Sequence, residues 1–248
     1  MAVYITGDCH GNFKKVQDFC KKNETTRKDI MIILGDAGIN FNKNILDLQR
    51  KIGISQLPIT LFCIHGNHDA RPSPLKNMDY FEFKELPGKM YHLKPWRGGK
   101  VYIESSFPNI LFAKDGEVFD FNGVKALVCG GAYSPDKKYR LAKNWPWYAD
   151  EQPNTRIKHQ VEKKIKEMNG RVDVMLTHTI PYKYISQLGL EPWEGIDNST
   201  EIWLDQIEER LDYDKWYAGH FHVDKKIRRL QVMMDAIEPF YTKDIELT

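Results

Sequence analysis

The chain has 248 residues, 42% of them hydrophobic and 28% charged, a composition that suits an ordinary globular α/β protein with a substantial core and excludes a disordered or fibrous one. Its 36 Lys+Arg against 34 Asp+Glu nearly cancel, so no overall field announces a nucleic-acid or membrane partner, and any attraction for a polyanion must be local. The four cysteines are scattered singly, no apolar run approaches the length that crosses a bilayer, and Met1 leads straight into a strand-like segment, so a cytoplasmic chain with no membrane partner is expected.

In chain order, apolar runs rich in β-branched residues at 2–6, 30–34 and 59–64 predict strands covered on both faces. Between them, Phe13, Val16, Phe19 and Cys20, then Ile45, Leu48 and Ile52, recur at helical spacing, giving a β-α-β-α-β start. Strand-like pieces at 90–93, 101–104, 110–113 and 124–129, separated by turn signals, predict hairpins. Ile157, Val161, Ile165 and Met168 form one stripe of a long helix; 172–176 returns to the sheet; Ile202, Ile207 and Leu211 mark another helix. Strands are expected near 215–218, 226–234 and 239–242. The order fits a single domain over 1–248 built of two packed mixed sheets flanked by helices, with an insertion around 130–156.

Five of these strands are followed at once by Asp, His or Asn. The clusters are Gly7-Asp8-Cys9-His10-Gly11, Gly35-Asp36-Ala37-Gly38, His65-Gly66-Asn67-His68-Asp69, Thr177-His178-Thr179 and Gly219-His220-Phe221-His222. Ligands of open α/β sheets sit beyond the carboxyl ends of strands, so five such loops can converge on one spot. Their donors are oxygen and nitrogen without thiolate, a set that takes Mn, Fe, Zn or Ni rather than a structural tetrahedral zinc. Residues two apart on an extended segment project to the same side, which pairs Asp8 with His10 and His220 with His222 and turns Cys9 inward.

In this order and spacing the five blocks resemble the signature of the calcineurin-like metallophosphoesterase superfamily, over residues 7–222. The resemblance implies a four-layer α/β/β/α sandwich with two divalent metal ions at the strand ends, manganese foremost and iron, zinc or nickel as alternatives. It implies that Asp8, His10 and His222 hold one ion, that Asn67, His178 and His220 hold the other, and that Asp36 bridges both. A water between the ions would then attack a phosphate ester as hydroxide. His68, beside a ligand without being one, is expected to protonate the leaving group. Asp69 is expected to orient its neighbours, and His65 to be structural. His92 and His159 lie outside every block.

The protein phosphatase branch carries Gly-Asp-x-x-Asp-Arg-Gly and Gly-Asn-His-Glu. Here Ile39 and Asn40 stand where its aspartate and arginine would be, and Asp69 ends the third block, so a close member of that branch is not expected. Residues 130–152 interleave Lys137, Lys138, Arg140 and Lys143 with Tyr133, Tyr139, Trp145, Trp147 and Tyr148. They resemble a Gly-Gly-Ala-x-Ser-x-Asp-Lys segment of a little-characterised bacterial and phage branch. Two readings of the segment stand side by side: a rim that stacks a base and neutralises phosphate, with Asn67, Lys137 and Arg140 as substrate contacts, or a packed cap over the sheet edge. The expected partner is a phosphate ester, with a nucleotide or a nucleic-acid end as alternatives and a catalytically silent scaffold as the rival from another class.

Overall fold

The computed structural model describes residues 1–82, 84–190 and 195–243. The first three strands form where expected, β1 at Val3–Thr6, β2 at Ile30–Ile33 and β3 at Thr60–Cys63, joined by helices α1 at Lys14–Asn23 and α2 at Ile45–Ser55. They run parallel and in register, so their carboxyl ends finish on one edge. Helix α2 starts where the Asn44 side chain accepts from the Leu46 N–H, satisfying one of the amides that a first turn leaves unpaired.

An exposed hairpin follows, β4 (Lys76–Asp79) against β5 (Lys84–Lys89). Next come β6 (His92–Trp96), β7 (Gly99–Ile103) and β8 (Ile110–Ala113), and then β9 (Val118–Phe121) and β10 (Val124–Cys129). A short helix α3 (Lys137–Ala142) precedes α4 (Thr155–Glu167), β11 (Val174–Thr177), a 3-10 helix (Tyr182–Leu188) and α5 (Ser199–Glu208). The chain ends in β12 (Lys215–Ala218), β13 (Lys225–Ile227), β14 (Leu230–Val232) and β15 (Ile237–Pro239). The single strand expected over 226–234 is instead the antiparallel pair β13 and β14, turned at Arg228, whose φ is +54°.

The strands make a seven-stranded sheet in the order β15-β1-β2-β3-β8-β7-β6 and a six-stranded sheet in the order β13-β14-β12-β11-β10-β9. Side chains alternate across each strand, and the burial pattern shows what each face meets. Ile30, Ile32 and Phe62 of the first sheet share one core with Phe119, Ala126, Val174 and Leu176 of the second. The opposite faces pack on helices: Met31, Ile33 and Leu61 with Val16 and Cys20 of α1, and Leu127, Met175 and Trp216 with Val161 of α4 and Leu204 of α5. The result is the four-layer α/β/β/α sandwich, with two mixed sheets and a core at each of its three internal boundaries. Among the described residues, no helix is long and apolar enough to cross a membrane.

Candidate metal centre

The loops after β1, β2 and β3 in one sheet and after β11 and β12 in the other meet at the same edge of the sandwich. The β1 and β2 loops are laced together: the Cys9 and His10 amides both donate to the Asp36 carbonyl, at 3.1 and 2.8 Å, and the Gly11 amide donates to Ala37. The β3 loop closes on them, since the His68 amide donates to Asp36 Oδ1 at 2.8 Å. From the other sheet, the His220 amide donates to Asp8 Oδ1 and Oδ2 at 3.1 and 3.2 Å.

Four of the seven expected ligands hold left-handed backbone: His10 (φ 46°), Asp36 (45°), His220 (71°) and His222 (52°). Such conformations cost energy in non-glycine residues and concentrate at functional sites. They also correct the spacing argument. His10, His220 and His222 are not on extended segments, so strand alternation does not aim them; the turns after β1 and β12 do. Cys9 is buried against the α1 side of the first sheet. Gly35 (φ +95°) and Gly66 are required by close approach, because a Cβ would strike the His178 ring at the first and the Asp36 carboxylate at the second.

The structure gathers the side chains in overlapping sets. Asp8, His10 and His222 present donor atoms within 4.8 Å of one another, as do Asp8, Asp36 and His178, and also His10, Asp36 and His68. Asn67 joins the second set through Oδ1, 2.9 Å from His178 Nε2. His220 belongs to none of these sets among the described residues; its ring centroid lies 5.1 Å from that of His178. His178 is wholly buried, and its Nδ1 sits 2.7 Å from the Leu34 carbonyl, which fixes an N–H there and turns Nε2 toward Asn67 and Asp36.

The donors suit divalent cations: two buried carboxylates, an amide oxygen and imidazoles, one of them oriented by a backbone carbonyl. The same side chains set one another's charge. Burial pushes the Asp36 carboxyl up, but the charge and hydrogen bond of His178, with His68 and His10, outweigh it and hold it well below the usual carboxylate range. Burial pushes His178 down, yet the Asp36 and Asp8 charges prevail and raise it to about 9. Burial, aided by the charge of His178, takes His220 down to about 3, so its ring stays neutral with a free lone pair. The hydrogen bond to Asp8 raises His222.

His68 stands at the open side. Its ring stacks on Phe41, 18° from parallel with centroids 6.0 Å apart, and its Nε2 is 3.7 Å from Asp136 Oδ1. Burial lowers its pKa, with Asp36 pulling the other way. Asp69 is buried and accepts from the Gly38 and Asn40 amides at 3.0 and 3.3 Å, which ties the β3 loop to the β2 loop; burial and the Asp36 charge lift it to about 7. His65 is buried under the strand end, while His92 and His159 are exposed and remote from these sets.

The 130–152 segment divides between its two readings. Lys137 Nζ lies 4.0 Å from the centre of the Trp147 ring, and Tyr139 and Trp145 meet edge-on at 5.5 Å with more than half of each exposed. Arg140, expected at the rim, is instead enclosed: it is 0% exposed, and its guanidinium donates to the Pro146 carbonyl and to Ser134 Oγ. Its placement favours the packed cap rather than phosphate contact. Ser134, Asp136 and Glu151 also adjoin the site; Ser134 and Asp136 are the serine and aspartate of the Gly-Gly-Ala-x-Ser-x-Asp-Lys segment, to which the sequence attached no role, and Glu151 carries no periodicity or spacing that separates it from a solvated acid.

Among curated proteins, none matches the chain in sequence. Its layout is similar to that of TT1561 of Thermus thermophilus, at 12% identity and TM-score 0.49, covering 94% of this chain and 87% of that one. It is also similar to a Staphylococcus aureus chain assigned as a 5'-nucleotidase and solved with α-ketoglutarate, at 13% identity and TM-score 0.40, covering 94% of this chain and 48% of the other. The family model for calcineurin-like phosphoesterases matches residues 1–224, spanning all five loops of the cluster. Over that span the chain belongs to the calcineurin-like phosphoesterase family.

Proposed function

We propose that the chain is a dinuclear metal-dependent hydrolase of phosphomonoesters, phosphodiesters or both. The observation that carries the reading is the convergence of Asp8, His10, Asp36, Asn67, His178, His220 and His222 from five loops of two sheets, four of them on strained backbone. Asp8, His10 and His222 would hold one ion, Asn67, His178 and His220 the other, and Asp36, central to two of the donor sets, would be shared. Manganese is the first choice, with iron, zinc or nickel as alternatives that these donors also accept. When bound, the ions supply Lewis acidity toward the phosphoryl oxygens and acidify a water toward neutral pH.

The chain's own residues do the rest. His68 is the proton donor to the departing alkoxide: it is held in plane by Phe41 and by its backbone bond to Asp36, and Asp136 offers its Nε2 a carboxylate partner. Asp69 keeps the β2 and β3 loops at a fixed separation. Lys137, whose ammonium lies over the Trp147 ring, would meet substrate phosphate, and Asn67 would be a second contact to it. A cytoplasmic setting is supported by four buried thiols, none in a disulfide.

Purified protein with Mn²⁺ should hydrolyse nitrophenyl phosphate mono- or diesters and lose this activity on Asp36→Asn; parent protein inert with every divalent ion would sink the reading. A second reading, a nucleotide or nucleic-acid end as substrate, is favoured by the exposed Tyr139 and Trp145 pair with Lys143 Nζ 5.9 Å from the Tyr139 ring centre. Oligonucleotides that neither bind at low salt nor are cleaved would remove it.

A further inference from the structure

We propose that Ser134 and Glu151 are positioning residues that decide which end of the Asn67 carboxamide faces the metal centre. This rests on the metal-centre reading given above. Ser134 Oγ is wholly buried and uses each of its hydrogen-bonding capacities. It donates to Glu151 Oε2 at 2.5 Å and accepts from Asn67 Nδ2 and Arg140 Nη1, both at 3.0 Å. A hydroxyl has one proton and two lone pairs, and an ionised carboxylate only accepts. The proton therefore goes to Glu151, and Ser134 can only accept from its other two neighbours.

The consequence reaches the ligand. Asn67 must turn its NH₂ toward Ser134, so its Oδ1 points the opposite way, where it stands 2.9 Å from His178 Nε2. Only that oxygen can ligate a cation; a reversed amide would aim two N–H groups at the ion. Glu151 is fixed in turn, since Oε1 accepts from the Ser134 amide at 3.2 Å and Oε2 from Trp147 Nε1 at 2.7 Å. Arg140 is held by the Pro146 carbonyl. The basic and aromatic segment 130–152 thus spends four side chains on orienting one amide.

The test titrates Mn²⁺ alone into metal-stripped full-length parent, Ser134→Ala, Trp147→Phe and Trp147→Phe with Glu151→Gln by calorimetry, with thermal unfolding of each stripped protein alongside. Glu151→Gln is made on the Trp147→Phe background, with Trp147→Phe alone as its reference. Without the indole N–H that would hold the Gln oxygen at the Oε2 position, the Gln turns its oxygen to the Ser134 amide and its NH₂ to Ser134 Oγ, which frees the hydroxyl proton to point at Asn67 and lets the amide reverse. The parent and Trp147→Phe should each take up two ions; in Ser134→Ala and in the double variant, each against its reference, one of the two should weaken by about 10- to 100-fold and the other stay unchanged. Asn67→Asp added to the double variant should restore the lost affinity, because a carboxylate presents oxygen at both ends. Should Ser134→Ala fail to fold, the isosteric Glu151→Gln on its background and its rescue decide. Two ions bound by the double variant at the affinity of Trp147→Phe, or a triple variant as weak as the double one, would overturn the proposal. Parent protein that takes up no Mn²⁺ would sink the metal centre itself, an outcome distinct from both.

Discussion

His10 Nε2 and His222 Nε2 face each other at 2.9 Å although 212 residues separate them in the chain. Both also lie near Asp8 Oδ2, at 3.7 and 3.4 Å. Two imidazole nitrogens at that distance share at most one proton, whereas a divalent cation accepts both lone pairs together with the carboxylate. His10→Ala and His222→Ala should therefore each lower the affinity for one Mn²⁺ by at least the 10- to 100-fold typical of losing a supporting contact, as read by metal content after dialysis. Parental metal content in either variant would remove these residues from the centre.

His68→Ala should keep both ions and lose turnover, with kcat falling by roughly 10²- to 10⁴-fold on an alkyl phosphate ester. The loss should be smaller on a nitrophenyl ester, whose leaving group departs as a stable anion and needs little help from an acid. His68 also shares a donor set with His10 and Asp36. If the variant lost a metal ion, or if the two esters suffered alike, the proton-donor role would be wrong.

Gly35→Ala is expected to damage the site from the backbone outward. At φ +95° an L-residue is strained, and the added methyl would fall on the His178 ring, which hydrogen-bonds to the Leu34 carbonyl next door. Denaturant unfolding of the metal-free variant should show a loss of more than about 1 kcal/mol. The same variant should bind Mn²⁺ more weakly, whereas Gly53→Ala inside α2, where the new Cβ meets nothing within 4 Å, should leave Mn²⁺ binding unchanged and add roughly 0.5–1 kcal/mol of stability.

Glu208 offers a pH test away from the metal. Burial pushes its carboxyl up, but the Lys183 ammonium and the hydroxyls of Tyr213 and Tyr184 more than offset this and leave it below its ordinary value. Both hydroxyls donate to Oε1, at 2.6 and 2.8 Å; the Tyr184 bond ties the 3-10 helix to α5, and the Tyr213 bond ties down the turn that leaves α5. A depressed carboxyl stabilises the fold above its unfolded pKa, and that contribution fades as pH falls through the folded one. Glu208→Gln should thus cost roughly 1–3 kcal/mol near neutrality, and the gap to the parent should narrow as pH falls below the ordinary carboxylate range. A gap that persists unchanged into acid would rule out the charge as its source.

Much of this architecture is written in short-range patterns. Apolar runs such as Ile-Met-Ile-Ile at 30–33 are buried on both faces, and that alone marks a central parallel strand; the polar residues at their ends then name the site. Three kinds of feature escaped. The β4 and β5 hairpin is almost wholly exposed, so it lacks the alternation that gives strands away. The left-handed turns that aim His10 and His222 have no glycine at those positions to signal them. Arg140 looked like a surface cation because its partners, the Pro146 carbonyl and the Ser134 hydroxyl, become partners only after the chain has folded back on itself.

The bond from the His220 amide to Asp8 also has a meaning for the life of the folded chain. It joins the exit of the first strand to the exit of β12, 212 residues on, so an ion gripped from both sides would act as a clasp on a loop of nearly the entire polypeptide. The entropy of closing so long a loop grows only slowly with its length, but while the clasp holds, the ends cannot drift apart. The protein should therefore release its metal before it can open, and its lifetime against heat or proteases should track the concentration of free ion.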